Sequence, residues 1–189
     1  QQRVFSAISE QFETKPVSLL HGITSSGKTQ VYIRMIEKFL LANKQVLYLV
    51  PEIALTSQIV RKLQQHFGGH LGIYHSRFSH NERFEIWNKV RSGEVKILLG
   101  ARSSLFLPFG SLGLIIVDEE HDTSYKQQDP APRYHARDTA IYYASLIQAK
   151  VLLGSATPAV ESYFNAVSGK YGFAELKERW GQVDLPVIS

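Results

Sequence analysis

A chain of 189 residues, 44% apolar and 20% charged, has the size and balance of one sizeable globular domain, with no repeat, low-complexity tract or long linker. No apolar run reaches transmembrane length and no signal-peptide pattern is present. With zero cysteines there is also neither a disulfide framework nor a Cys-based zinc site, so an intracellular chain without a membrane partner is expected. The formal net charge of +4 admits an anionic partner without by itself arguing for nucleic acid.

The apolar run at 17–20 predicts a strand. It leads into Gly22-Ile23-Thr24-Ser25-Ser26-Gly27-Lys28-Thr29, which matches the G-x-x-x-x-G-K-[ST] pattern of a phosphate-binding loop. A helix over 29–42 follows, with Val31, Met35, Ile36, Phe39 and Leu40 on one stripe. Next come a strand at 46–50, a helix at 56–67 striped by Ile59, Val60, Leu63 and Phe67, a strand at 71–74, a helix at 79–92 and a strand at 95–99. The run at 114–117 predicts another strand, ending in Asp118-Glu119-Glu120-His121. A helix at 137–148 and a strand at 151–153 precede Gly154-Ser155-Ala156-Thr157-Pro158. A last helix is expected over 158–169, with Thr157 as N-cap and Pro158 in its first position. Continuously apolar strands separated by amphipathic helices predict an α/β domain, a mostly parallel sheet with helices on both faces. Ligands of such sheets sit beyond the carboxyl ends of the strands, and each chemical motif here directly follows a strand. The chain begins at Gln1 rather than Met and reads as a piece of a longer one.

The phosphate loop works through backbone geometry. Its glycines permit a sharp turn that points several N–H groups at one phosphate, and the helix starting near Lys28 adds the positive end of its dipole. Gly22, Thr24, Ser25, Ser26, Gly27, Lys28 and Thr29 are therefore the expected nucleotide-binding set. Lys28 belongs at the β/γ-phosphates of ATP and the Thr29 hydroxyl on Mg²⁺. Asp118 closes an apolar strand in the Walker B manner and is the second expected Mg²⁺ ligand, directly or through water. Glu119 is placed to orient and deprotonate an attacking water. Lys28, Asp118 and Glu119 are thus the expected catalytic residues. Ser155 and Thr157 follow another strand, where two small hydroxyls can bond to the acidic loop and report loss of the γ-phosphate. Thr157 serves equally as a plain helix cap.

These three motifs in this order resemble the first RecA-like lobe of a superfamily 2 helicase, of the DExH type. The resemblance narrows to the bacterial replication-restart helicases. It rests on the loop from His21 to Tyr32, on Val50-Pro51-Glu52-Ile53-Ala54-Leu55-Thr56, on Gly100-Ala101-Arg102-Ser103-Ser104-Leu105-Phe106-Leu107-Pro108-Phe109, and on the run from Asp118 to Gln128 continuing through Arg133-Tyr134-His135-Ala136-Arg137-Asp138. It covers about 1–170, and its most specific part is 125–138. Ser25 stands where the family commonly has Gly, and Asp129-Pro130-Ala131-Pro132 falls in a loop where the family varies. The resemblance implies a 3′→5′ DNA helicase driven by ATP and Mg²⁺ in the bacterial cytoplasm. It implies action at stalled forks on single-stranded and forked DNA, together with other primosome proteins. It also implies an ATP site closed by a second RecA-like lobe, whose connection starts at about 171–189, and a zinc site only on parts absent here. His121, Ser155 and Thr157 become coupling residues, and Gln1 resembles the adenine-reading glutamine upstream of many helicase phosphate loops.

Tyr125, Lys126, Arg133, Tyr134, His135 and Arg137 interleave rings with cations. That pattern suits single-stranded DNA, because bases stack on rings while cations meet phosphates. The same segment also reads as a loop packed on its own domain. Thr56, Arg102 and Ser103 fall just beyond strands, where hydroxyl and N–H groups suit phosphate contacts, with Thr56 equally a helix cap. Two other functions fit the motifs: a lobe of another superfamily 2 motor (an RNA helicase or restriction translocase), or a nucleotide-switched DNA-binding module. The intact Glu119 argues for a hydrolysing enzyme, and 125–138 argues against the other motors.

Overall fold

The computed structural model describes residues 1–23, 26–75 and 77–177. In chain order its elements are α1 (Gln2–Thr14), β1 (Val17–Gly22), α2 (Lys28–Leu41), β2 (Gln45–Leu49), α3 (Ser57–Phe67), β3 (Leu71–Tyr74), α4 (His80–Ser92), β4 (Ile97–Gly100), β5 (Leu112–Asp118), α5 (Ala136–Ile147), β6 (Lys150–Ser155), α6 (Val160–Val167) and β7 (Gly172–Leu176). The strands form one seven-stranded sheet in the order β3-β4-β2-β5-β6-β1-β7, with every pair parallel.

The apolar runs are continuous because both faces of the sheet are covered. Along β2 and β5, alternate residues serve opposite faces. Leu47, Leu49, Ile115 and Val117 share one core with Ala136, Ala140 and Ala144 of α5, whose small side chains let that helix lie close. Val46, Tyr48, Leu114 and Ile116 share the other core with Ile8 and Phe12 of α1, with Val31, Tyr32 and Met35 of α2, and with Leu63 of α3. Burying each large aliphatic side chain contributes about 1.5–3 kcal/mol relative to leaving it in water. The start of α4 is fixed locally. Ser79 accepts from the Glu82 N–H while Glu82 accepts from the Ser79 N–H, and Gly93 ends the helix in the left-handed conformation at φ 76°.

Three elements differ from the sequence-based expectation. α1 lies outside the predicted set, although Val4, Phe5, Ile8 and Phe12 recur at helical spacing. Residues 172–176, expected within the start of a connection, form β7 and pair with β1 from Ser18↔Gly172 to Gly22↔Leu176. The strand was hidden because only part of Gly-Phe-Ala-Glu-Leu is apolar, as suits a sheet edge; the rest of the expected connection, 178–189, lies outside the described residues. Finally, α6 begins two residues later than expected, with Ala159 rather than Thr157 as its N-cap.

Candidate nucleotide and nucleic-acid site

The loop between β1 and α2 turns at Gly27, whose φ of 90° is left-handed and favours glycine. Thr24 and Ser25 lie outside the described residues. Lys28 Nζ donates to the Gly22 carbonyl at 2.9 Å and stands 3.7 Å from Glu119 Oε1. Gln1 packs over Gly27 so closely that a side chain at 27 would collide with its amide. Among the described residues, Gln1 Nε2 and Ser26 Oγ are both buried without a hydrogen-bond partner. Buried polar groups are rarely left unpaired. The orphaned Ser26 hydroxyl, beside a glycine cradle and a lysine, fits the oxygen-rich phosphates of a nucleotide, and the orphaned Gln1 amide leaves a donor for another part of it. Thr29 sits in the first turn of α2, beside that cradle.

Asp118 ends β5 next to this loop. The Tyr32 hydroxyl donates to its Oδ1 at 2.9 Å, and the Tyr48 hydroxyl donates to its Oδ2 at 3.0 Å. Burial pushes the Asp118 carboxyl above the usual carboxylate range, and the adjacent Glu119 charge pushes it the same way. The two tyrosine hydrogen bonds and Lys28 oppose that rise. Burial also holds both tyrosine hydroxyls well above their ordinary range, so they stay protonated donors. A Cβ at Gly154 would overlap the Tyr32 hydroxyl, so the residue opposite Asp118 on β6 must lack one.

Glu119 has φ 47°, a left-handed conformation that costs a non-glycine residue about 1–3 kcal/mol and recurs at functional sites. The turn places its carboxylate 3.7 Å from both Lys28 Nζ and His121 Nδ1. His121 Nδ1 lies 2.7 Å from Ser155 Oγ, and its Nε2 lies 3.2 Å from Thr157 Oγ1. One contiguous set of contacts therefore joins Lys28, Glu119, His121, Ser155 and Thr157, with Asp118 adjoining Glu119. Thr157, freed from capping α6, belongs to this set.

Two expected DNA contacts are placed elsewhere. Tyr125 is buried, and its hydroxyl donates to the Asp118 carbonyl at 2.6 Å, so no face of the ring is open to a base. Arg137 is also buried, donating to Glu120 Oε2 at 3.0 Å and to Asp138 Oδ1 at 2.8 Å. Burial works against the Arg137 charge, but these bonds outweigh it and hold the guanidinium firmly protonated. Glu120 itself is fully buried. It also accepts from the Ala159 N–H at 2.7 Å and from Ser162 Oγ at 2.8 Å, so it supplies the N-terminal acceptor that α6 lacks locally. Removing one partner of a buried ion pair strands the other, so Glu120→Ala is expected to destabilise the fold by about 3–5 kcal/mol. Urea unfolding measures this, and a loss under about 1 kcal/mol, the worth of an exposed pair, contradicts it.

The remaining DNA candidates are at least partly exposed. Lys126 bridges to His135 across the loop and donates to the Arg133 carbonyl at 3.1 Å, while Gln127 N–H donates to the Tyr134 carbonyl at 2.9 Å. Tyr134 stands edge-on to Phe106 at 4.9 Å, and its hydroxyl is held by Arg102, which also donates to the Ser124 carbonyl at 2.7 Å. Ser103 is exposed, and Thr56 caps α3 without a side-chain bond. Sequence reasoning missed Tyr32, Tyr48, Glu120 and Phe106. Phe106 is 59% exposed beside Tyr134. The available signal for Tyr48 was a hydroxyl inside an otherwise apolar strand, which needs a partner when buried.

Sheet order explains the grouping. Thr56 follows β2, Arg102 and Ser103 follow β4, and the 126–135 loop follows β5, three adjacent strands. The phosphate loop follows β1, and Ser155 ends β6 with Thr157 just beyond it, on the other side of β5. The β5 end, with Asp118 and Glu119, lies between the two groups.

Residues 1–165 match the DEAD/DEAH box helicase family. The chain is 44% identical to the replication restart protein PriA of Bacillus subtilis over 191 aligned residues, covering 100% of this chain and 24% of that protein. It is 48% identical to PriA of Chlamydia trachomatis over 92% of this chain and 23% of that protein. With PriA of Haemophilus influenzae the identity is 49% over 87% of this chain and 22% of that protein. The chain thus spans about a quarter of the length of these relatives. Among solved structures, RecG bound to a three-way DNA junction superposes with TM-score 0.69 at 23% identity, covering 96% of this chain and 24% of that one. The Pyrococcus furiosus Hef helicase domain superposes with TM-score 0.63 at 18% identity, covering 94% and 38%. Both have the same fold, a seven-stranded parallel RecA-like sheet in this chain. On the match over 1–165, and with Asp118-Glu119-Glu120-His121 closing β5, the chain belongs to the DEAD/DEAH box helicases and is similar within them to replication restart protein PriA.

Proposed function

We propose that this lobe binds ATP with Mg²⁺ and couples hydrolysis to 3′→5′ movement along single-stranded DNA, as part of a helicase that acts at stalled forks in replication restart. The position of β5 carries this reading, since one strand end holds Asp118 and Glu119 and continues directly into the 126–135 loop. Lys28, Gly22, Ser26, Gly27 and Thr29 hold the phosphates, and Thr24 and Ser25 complete the motif. Gln1 faces the adenine side, and Asp118 with Thr29 holds the ion. Bound ATP supplies the reactive γ-phosphoryl, and Mg²⁺ neutralises its developing charge. Glu119 takes the proton of the attacking water. His121, Ser155 and Thr157 relay the change in that site to the DNA side. The proposal extends to forked DNA and primosome proteins as partners, to zinc held outside this chain, and to a cytoplasmic setting. No described helix is long and apolar enough to cross a membrane.

DNA contacts are assigned to Thr56, Arg102, Ser103, Lys126, Arg133 and Tyr134. The test is a full-length variant with Lys126, Arg133 and Tyr134 changed to alanine. Basal ATP hydrolysis is expected to stay near wild type, while stimulation by single-stranded DNA falls sharply. Losing one stacked base costs about 1–3 kcal/mol of binding. Stimulation curves that coincide with wild type would make the loop purely structural. Stimulation of the wild type by RNA but not DNA would favour an RNA motor.

A further inference from the structure

The hydrogen bonds on Asp118 are unequal. Its Oδ1 accepts from the Tyr32 hydroxyl at 2.9 Å and from the Glu119 N–H at 3.1 Å. Its Oδ2 accepts from the Tyr48 hydroxyl at 3.0 Å. A carboxylate oxygen has about two acceptor positions. Among the described residues, Oδ1 is therefore saturated and Oδ2 keeps one position for a further partner. The two tyrosines reach the carboxylate from different elements. Tyr32 lies one helical turn beyond Lys28 on α2, so the helix that carries the phosphate lysine also grips the carboxylate. Tyr48 comes from β2, which neighbours β5 and pairs there with Ile116. Both rings are fully buried and meet edge-on at 5.5 Å, so neither hydroxyl can swing away without disturbing the core. Gly154 leaves the notch that Tyr32 needs.

We infer that Tyr32 and Tyr48 are positioning residues for Mg²⁺: they fix the Asp118 carboxylate and leave a single acceptor position on Oδ2 for the ion or its bound water. This inference rests on the nucleotide-site reading above. Hydrogen bonds that orient a ligating carboxylate commonly change metal affinity or activity by about 10–100-fold when removed.

The experiment uses full-length protein, wild type and the single variants Tyr32→Phe and Tyr48→Phe, which keep the rings and remove only the hydroxyls. A fluorescent ADP analogue is titrated with MgCl₂ from an EDTA-treated start, and the Mg²⁺ midpoint for nucleotide binding is read. Thermal melting without Mg²⁺ or nucleotide reports folding separately. Each variant is expected to melt as one folded species and to need about 10–100-fold more Mg²⁺. An unchanged midpoint in either variant overturns the assignment for that tyrosine and leaves its hydroxyl a role in folding alone. A lowered midpoint overturns it too, since the hydroxyl then competes with the ion. A wild-type protein whose nucleotide affinity ignores Mg²⁺ overturns the nucleotide-site reading, and this inference with it.

Discussion

In the full-length protein, Glu119→Gln is expected to lower ATP turnover by at least about a hundredfold, the usual size of a lost general base, while nucleotide binding persists. The geometry separates the two effects. Lys28 holds the Gly22 carbonyl at 2.9 Å whatever occupies position 119, and the Glu119 N–H, not its side chain, bonds Asp118 Oδ1. Glutamine keeps the size and polarity of the side chain and loses only its basic oxygen. The left-handed backbone at φ 47° belongs to the tight turn out of β5, and glutamine meets the same steric cost there as glutamate. Calorimetry with a non-hydrolysable ATP analogue and steady-state hydrolysis with saturating single-stranded DNA measure the two properties. Normal turnover in the variant would mean that another group orients the water, with His121, 3.7 Å from Glu119, the next candidate.

What could be read from the chain was what periodicity and contiguity encode. Five of the first six strands were legible because burial on both faces forces nearly unbroken apolar runs, the edge strand β3 because Leu71, Ile73 and Tyr74 give a short apolar run of its own, and the phosphate loop because its spacing is a backbone requirement. The contacts among Lys28, Glu119, His121, Ser155 and Thr157 follow from the rule that functional residues collect beyond the strands' carboxyl ends. α1 was missed although its apolar spacing was present, and β7 because an edge strand needs little apolar sequence. Tyr125 and Arg137 were misjudged because composition cannot tell a ring offered to solvent from one folded under its own strand end. The Glu120–Arg137 pair joins residues 17 apart in sequence, and only tertiary structure reveals that Glu120 supplies the acceptor at the start of α6. Tyr32 and Tyr48 sat inside apolar stripes, where their hydroxyls carried no periodic signal.

The lobe alone, residues 1–189, is expected to hydrolyse ATP at least about a thousandfold more slowly than the full-length protein, because an arginine supplied from outside a site of this kind is worth roughly 10³–10⁵ in rate. The described ion pairs of Glu119 are with Lys28 and His121. Arg102 lies beyond β4, on the side of β5 away from the phosphate loop, and Arg137 is committed to Glu120 at 3.0 Å. In the proposed reading Lys28 serves the substrate phosphates, but charge that develops only in the transition state calls for a further cation, which the resemblance to superfamily 2 helicases assigns to a second lobe. Binding should suffer less than chemistry, since the whole G-x-x-x-x-G-K-T motif and Asp118 both belong to this chain. The measurement pairs nucleotide affinity with ADP release for the isolated lobe and for the full-length protein, each with saturating single-stranded DNA. A lobe that binds nucleotide but turns over within tenfold of the full-length rate would place the whole catalytic apparatus inside these residues and refute a two-lobe site.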